Sequence, residues 1–167
     1  MTGVQNKILS HDEIQHKIKR IAWQIYETFA SEEEILLAGI APEGLKFANK
    51  IRDVLEQICT IKITICEVHI NKKDPLQEVS TSLPDEYYTN KCIVLADDVL
   101  NSGSTLIYSV KHFLNVPVKK FKTAVLVDRN HKRYPVKADF KGISLSTSLQ
   151  EHVKVVFGKN QDAVYLE

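Results

Sequence analysis

Two spacings of apolar residues run along this chain. Ile14, Ile18, Ile21, Ile25 and Phe29 recur at helical intervals, which predicts an amphipathic helix over 11–29. Ser10 followed by Glu13 has the spacing of a capping box at its start. EILLAGI (34–40) is a short, continuous apolar run that stops at Pro-Glu-Gly and predicts a buried strand. Leu45, Ala48, Ile51 and Leu55 mark a second helix. IKITICEVHI (61–70) is β-branched and partly alternating, a strand. CIVLA (92–96) and KTAVLVD (122–128) read as buried strands, residues 103–114 as a helix between them, and 136–157 as short strands around Gly142 and Gly158. NKKDPLQEVSTSLPDEYYTN (71–90) is polar and holds two prolines. It predicts a long, mobile loop, a length that in compact domains tends to serve function.

Strands and helices alternate, and the strands are nearly continuously apolar. This predicts an α/β fold, a central parallel sheet covered by helices on both faces. In such sheets ligands sit beyond the carboxyl ends of the strands. Three segments begin there: APEG (41–44), DDVLNSGST (97–105) and DRNHKR (128–133).

The 167 residues suit one domain spanning 1–167, and a net charge of +1 advertises no nucleic-acid binder, so any basic surface must be local. Cys59, Cys66 and Cys92 are odd in number and lack metal-site spacing. They read as reduced core thiols, which implies a cytoplasmic location. MTGVQNKILS has no apolar leader core. No window approaches the roughly 18 apolar residues of a membrane span, so no membrane partner is expected.

The sharpest chemistry lies in IVLADDVLNSGSTL (93–106). With the strand ending near Ala96, Asp97 and Asp98 stand at its carboxyl end. Two adjacent carboxylates repel unless something cationic or hydroxyl-rich compensates. A sugar diol donates to both, and magnesium can share the site. Asn101, Ser102, Gly103, Ser104 and Thr105 then open a helix, where free N–H groups and the helix dipole favour an anion. Diol site and anion site together suit a ribose 5-phosphate. The alternative is a solvated turn with Ser or Asn as helix cap.

IVLADDVLNSGST resembles the motif by which type I phosphoribosyltransferases bind 5-phosphoribosyl 1-pyrophosphate (PRPP). VDRNHKRYPVKADFKGISLSTS (127–148) is similar to the downstream segment of the PyrR family, pyrimidine-operon attenuation proteins with uracil phosphoribosyltransferase activity. The first helix and the closing QDAVYLE fit the same family. The resemblance implies a parallel sheet with a small hood from about residue 136 and a flexible lid over about 71–88. It implies transfer of ribose 5-phosphate from PRPP to uracil with magnesium, giving UMP and pyrophosphate. Asp97 and Asp98 would hold the ribose hydroxyls and, directly or indirectly, Mg2+. Asn101 to Thr105 would hold the 5-phosphate. Ala41, Pro42, Glu43 and Gly44 would form the pyrophosphate loop, and Asp128 and Arg129 would meet the base. The resemblance also implies a homodimer or higher homo-oligomer, with Trp23 and Tyr26 as packing or oligomer-contact residues.

Three positions depart from that pattern. Glu43, Glu67 and Ser104 stand where the family usually has arginine, Glu67 beside Cys66 in place of a Tyr-Arg pair. A carboxylate near pyrophosphate is unfavourable: at about 4 Å and an effective dielectric near 20, the repulsion is around 4 kcal/mol before screening. Lys46, Lys72 or Lys73 would be the compensating charge, unless Glu43 points away or reaches pyrophosphate only through magnesium. Glu43 also reads simply as a first-turn acid that complements its helix dipole. A basic region, Arg129, His131, Lys132, Arg133 and Lys137 with Lys119, Lys120 and Lys122 upstream, suggests RNA contact through His131, Lys132 and Arg133, or else a solvated loop. Three functions follow: a PyrR-type uracil phosphoribosyltransferase, a nucleotide-sensing RNA-binding regulator with little catalysis, and a phosphoribosyltransferase for another base.

Overall fold

The computed structural model describes residues 6–167, so the reading of MTGVQNKILS as free of a leader lies partly outside the described residues. Strand β1 (Asn6–Leu9) leads into helix α1 (His11–Thr28), followed by β2 (Glu34–Ile40) and α2 (Glu43–Ile58). Then come β3 (Lys62–His69), β4 (Ser80–Thr81), α3 (Asp85–Tyr88), β5 (Cys92–Leu100) and α4 (Ser104–Phe113). Strands β6 (Lys120–Arg129), β7 (Phe140–Leu145), β8 (Val153–Val156) and β9 (Ala163–Leu166) complete the order.

Six strands form the main sheet in the order β4-β3-β2-β5-β6-β7. All neighbours are parallel except the two-residue edge strand β4, which runs antiparallel to β3. The alternation of β2 shows why its sequence is apolar after Glu34. Ile35 and Leu37 join the core under α1 and α2, whereas Leu36, Ala38 and Ile40 join the core under α4. A strand covered on both faces has no place for a polar residue.

The capping box at α1 forms as its spacing predicts. Ser10 Oγ accepts from the Glu13 N–H at 3.3 Å, and the Ser10 N–H donates to Glu13 Oε2 at 2.7 Å. Helix α2 approaches β2 so closely that a Cβ on Gly39 would lie 2.6 Å from Leu45 Cα. Glycine is required there by space alone.

The strand β5 is longer than the 92–96 expected. It runs through both acids to Leu100, because β6 stays paired beside it as far as Leu100↔Asp128. On its other side β2 pairs only as far as Gly39↔Ala96. The acids are therefore strand residues at the point where one neighbour has ended. The expected structureless loop over 71–90 contains β4 and the single-turn α3.

The small second structure is also drawn differently from a hood beginning at about residue 136. Residues 140–145 join the main sheet as β7. The separate sheet, β1-β9-β8, is antiparallel and takes strands from both ends of the chain. Neither β1 nor β9 is an apolar run long enough to announce itself.

Candidate active site

Asp97, Asp98 and the whole Asn101–Thr105 segment line one cavity of about 160 Å³. Val125 from β6, Val153 from β8 and Lys72 from the segment after β3 complete its walls. The acids and the Gly-Ser-Thr loop, linked only by spacing in the sequence, thus face a common space.

Asp97 is buried, at 4% exposure, and Asp98 half-buried. Asp97 Oδ1 accepts the Asp98 backbone N–H at 2.9 Å and lies 3.8 Å from Lys72 Nζ. Burial first, and the neighbouring Asp98 charge second, push the Asp97 carboxyl well above the usual carboxylate range, with Lys72 pulling the other way. A group in this state is stabilised by hydroxyl donors or cations, and it gains from exchanging a protein partner for a ligand.

Beyond β5 the backbone turns through Gly103, whose φ is +88°. An L side chain there would be strained and would also place Cβ 2.6 Å from Val136 Cγ2. The turn opens α4. Its first internal bond runs from the Ile107 N–H to the Gly103 carbonyl at 2.9 Å, so the N–H groups before it face outward. The Ser104 N–H is shared with Ser102 Oγ at 3.2 Å. Such a turn is an anion cradle. Its rear is held from another loop: the Ser102 carbonyl accepts the N–H groups of Arg133 at 2.8 Å and Tyr134 at 3.1 Å.

The Ala41–Gly44 segment does not line this cavity but backs onto it. A Cβ on Gly44 would lie 3.0 Å from Asp97 Oδ1 and 2.8 Å from the Ala96 carbonyl, so only glycine lets α2 begin against the acid. The Ala41–Pro42 bond is cis. Glu43 Oε1 accepts Lys46 Nζ at 2.9 Å, whereas Oε2 is buried with no hydrogen-bond partner. Glu67 pairs with His69 at 3.3 Å and is 41% exposed. Of the three lysines expected to compensate, Lys46 is engaged by Glu43 and Lys72 reaches the cavity.

Asp128 and Arg129 line a different cavity, of about 270 Å³. Arg129 is a strut. Its Nε donates to Thr147 Oγ1, Nη1 to Asn101 Oδ1, and Nη2 to Thr147 Oγ1 and the Ser148 and Glu151 carbonyls, all between 2.7 and 3.2 Å. Asp128 sits between Lys132 at 2.9 Å and Lys141 at 3.7 Å. The nearer contact is an ion pair without hydrogen-bond alignment, since Asp128 Oδ1 has no hydrogen-bond partner.

The basic region separates into two places. Lys119 and Lys120, just before and at the start of β6, are engaged by Glu32 and by the Thr28 carbonyl, whereas residues 131–133 follow its far end. Ten strand residues put roughly 30 Å between them. His131 is bonded to the Thr147 carbonyl and Lys132 to Asp128. Arg133 is exposed, and its side chain has no hydrogen bond or ion pair among the described residues.

The sequence reading missed Val153 in the cavity wall, which arrives from a strand 55 residues beyond Asp98. It also missed a cluster of Asp85, Tyr88 and His112. Tyr88 is fully buried, and its hydroxyl contacts both Asp85 Oδ1 and His112 Nε2. No local pattern encodes either feature. No helix among the described residues is long and apolar enough to cross a membrane.

A parallel sheet that ends in paired acids, beside an anion-cradling turn, defines a class. The family model described as "Phosphoribosyl transferase domain" matches residues 4–158, and the chain belongs to that family. Two curated relatives carry the same name. The chain is 32% identical over 162 residues to the bifunctional protein PyrR of Microcystis aeruginosa, covering 93% of this chain and 92% of the relative. It is 35% identical over 156 residues to the bifunctional protein PyrR of Staphylococcus aureus, covering 89% of each. Among solved structures, a hypoxanthine-guanine phosphoribosyltransferase from Bacillus anthracis superposes with a TM-score of 0.78 at 19% identity, covering 98% of this chain and 99% of that one. At that identity the likeness speaks for the fold alone. The fold and the PyrR resemblance read from the sequence are both borne out.

Proposed function

We propose that this protein transfers the 5-phosphoribosyl group of PRPP to a nucleobase, with uracil the leading acceptor, and releases pyrophosphate. The observation that carries this reading is the single cavity shared by Asp97, Asp98, the 101–105 turn and Lys72. The acids accept the ribose hydroxyls, which relieves a buried carboxylate already short of partners. The N–H groups at the start of α4, with Ser102, Ser104 and Thr105, bind the 5-phosphate. Lys72 leaves Asp97 and meets the departing pyrophosphate, and the segment that carries it covers the reacting centre and excludes water.

The donor set fits magnesium. No group of three or more His, Cys, Asp or Glu residues able to hold a metal occurs among the described residues. Magnesium commonly binds through one or two carboxylates plus substrate phosphates. Asp97 and Asp98 would supply the protein's share, and the ion, when bound, would neutralise pyrophosphate charge.

The test is pyrophosphate release from PRPP and magnesium with a panel of bases: uracil, hypoxanthine, guanine and adenine. Uracil-dependent release is the expected result, and release with none of them from folded protein would overturn the reading. Release with a purine alone would keep the chemistry and replace the acceptor.

A second reading is a pyrimidine-nucleotide sensor that binds RNA, with little catalysis. Two observations favour it. Among the described residues Lys72 is the one cationic side chain lining the cavity, and Arg133, unpaired among them, is joined through backbone to the 101–105 turn at Ser102. Filter binding at several salt concentrations tests it. Binding to a pyrimidine-operon leader in preference to unrelated RNA, weakened by Arg133→Ala, supports it; equal binding to both rules it out.

A further inference from the structure

A second cavity, of about 380 Å³, lies between the 75–85 segment and the outer face of α4. It is more than twice the volume of the catalytic cavity and shares no lining residue with it. Its apolar side comes from Pro75, Leu76, 78% exposed, Val79 and Tyr108; the other lining side chains are polar or charged. Tyr108 is itself steadied by an edge contact to Tyr134, with ring centroids 6.2 Å apart.

The floor is polar and ordered. The Tyr88 hydroxyl has one proton, which it donates to Asp85 Oδ1. His112 Nε2, 3.1 Å away, must therefore be the donor to the hydroxyl oxygen, which leaves Nδ1 as the ring's open atom. Burial, reinforced by the bond to Asp85, keeps the Tyr88 hydroxyl protonated far above its ordinary range. The polar groups left for a ligand alternate in kind. Glu78 and Asp85 accept, Lys111 donates, and Asn115 does both. Two carboxylates against one ammonium and one imidazole give no preference for an anion.

We infer that this cavity is a second ligand site, for an uncharged planar heterocycle of the nucleobase or nucleoside class, held flat against Tyr108 with its edge donors and acceptors met by the Asp85–His112 side and by Asn115. A pocket that sets convergent polar groups beside an apolar side is a usual form of ligand site, and an aromatic wall suits a π-faced ligand. With two carboxylates beside one ammonium, a nucleotide phosphate is disfavoured. Occupancy would fasten the 75–85 segment to α4. That segment begins just after Lys72, and α4 begins at the phosphate turn, so the ligand would bias closure over the catalytic cavity. This last consequence rests on the proposed transferase reading; the binding itself does not.

The test uses the full chain carrying Asp97→Asn and Asp98→Asn, which disables the first cavity, titrated calorimetrically with uridine, adenosine, UMP and AMP. Saturable binding of a nucleoside, tighter than its 5-monophosphate and weakened about tenfold or more by adding Tyr108→Ala, is expected. A thermal melt confirms that the added variant is folded, and hydrogen exchange should show residues 75–83 protected on binding. Absence of nucleoside binding in the acid-substituted chain, or binding indifferent to Tyr108→Ala, would overturn the site. Neither result bears on whether the unaltered protein releases pyrophosphate.

Discussion

Replacing Lys72 with methionine removes the one cation that, among the described residues, lines the Asp97–Asp98 cavity, while keeping most of the side chain's length. Lys72 Nζ lies 3.8 Å from Asp97 Oδ1. At that separation a unit charge pair is worth about 1 kcal/mol in water and about 4 kcal/mol at an effective dielectric of 20. Lys72 is 46% exposed, which places the interaction toward the lower end, at roughly 1–2 kcal/mol. If the same ammonium transfers to pyrophosphate, kcat/KM for PRPP should fall by about 5- to 30-fold. Lys72→Arg should restore most of it. The pH profile provides a second readout. Lys72 holds the raised Asp97 carboxyl down, so its loss should move the acid limb of the profile to higher pH. Steady-state pyrophosphate release over a range of pH and salt measures both. Unchanged kcat/KM in Lys72→Met, or an equal loss in Lys72→Arg, would refute the role.

Three further outcomes follow from the same geometry. Asp97→Asn should abolish turnover yet raise the melting temperature at neutral pH. A carboxyl whose folded pKa lies above its unfolded value of about 3.9 destabilises the fold as pH rises through that window, so the gain should vanish in acid. Gly103→Ala forces an L side chain to positive φ, at roughly 1–2 kcal/mol, and against Val136; the KM for PRPP should rise more than the KM for the base. Arg129→Met leaves Asn101 Oδ1 and the Ser148 and Glu151 carbonyls without their donor. A loss of about 3 kcal/mol is expected, read as a melting temperature lower by roughly 6–12 °C.

Much of the fold was legible because each core element announces itself by period. Ile14 to Phe29 recur on one helix face, and EILLAGI allows no solvent-facing position. The end of β5 was not legible, since a local reading takes Asp97 as the stop. Only its pairing with β6 shows the strand passing through both acids. Arg129 looked like a base contact because it ends a strand at the ligand side. Its five hydrogen bonds go instead to residues 101 and 147–151, partners that sequence cannot reveal. The acid pair and the 101–105 turn were readable as neighbours because both are consecutive in sequence. Val153 and the Asp85–Tyr88–His112 cluster are assembled across the chain and leave no local signature.

The three-stranded sheet has a bearing on how the molecule is made. Its middle strand is β9, the last of the described elements in chain order, and among the described residues neither β1 nor β8 has a strand partner until β9 arrives. The six-stranded sheet is complete in sequence once residue 145 has emerged. A nascent chain can therefore settle its main core, with both acids in place, before Val153 is fixed over them. The cavity thus owes one wall to a strand that is held in place only by β9, far along the chain from the acids it encloses.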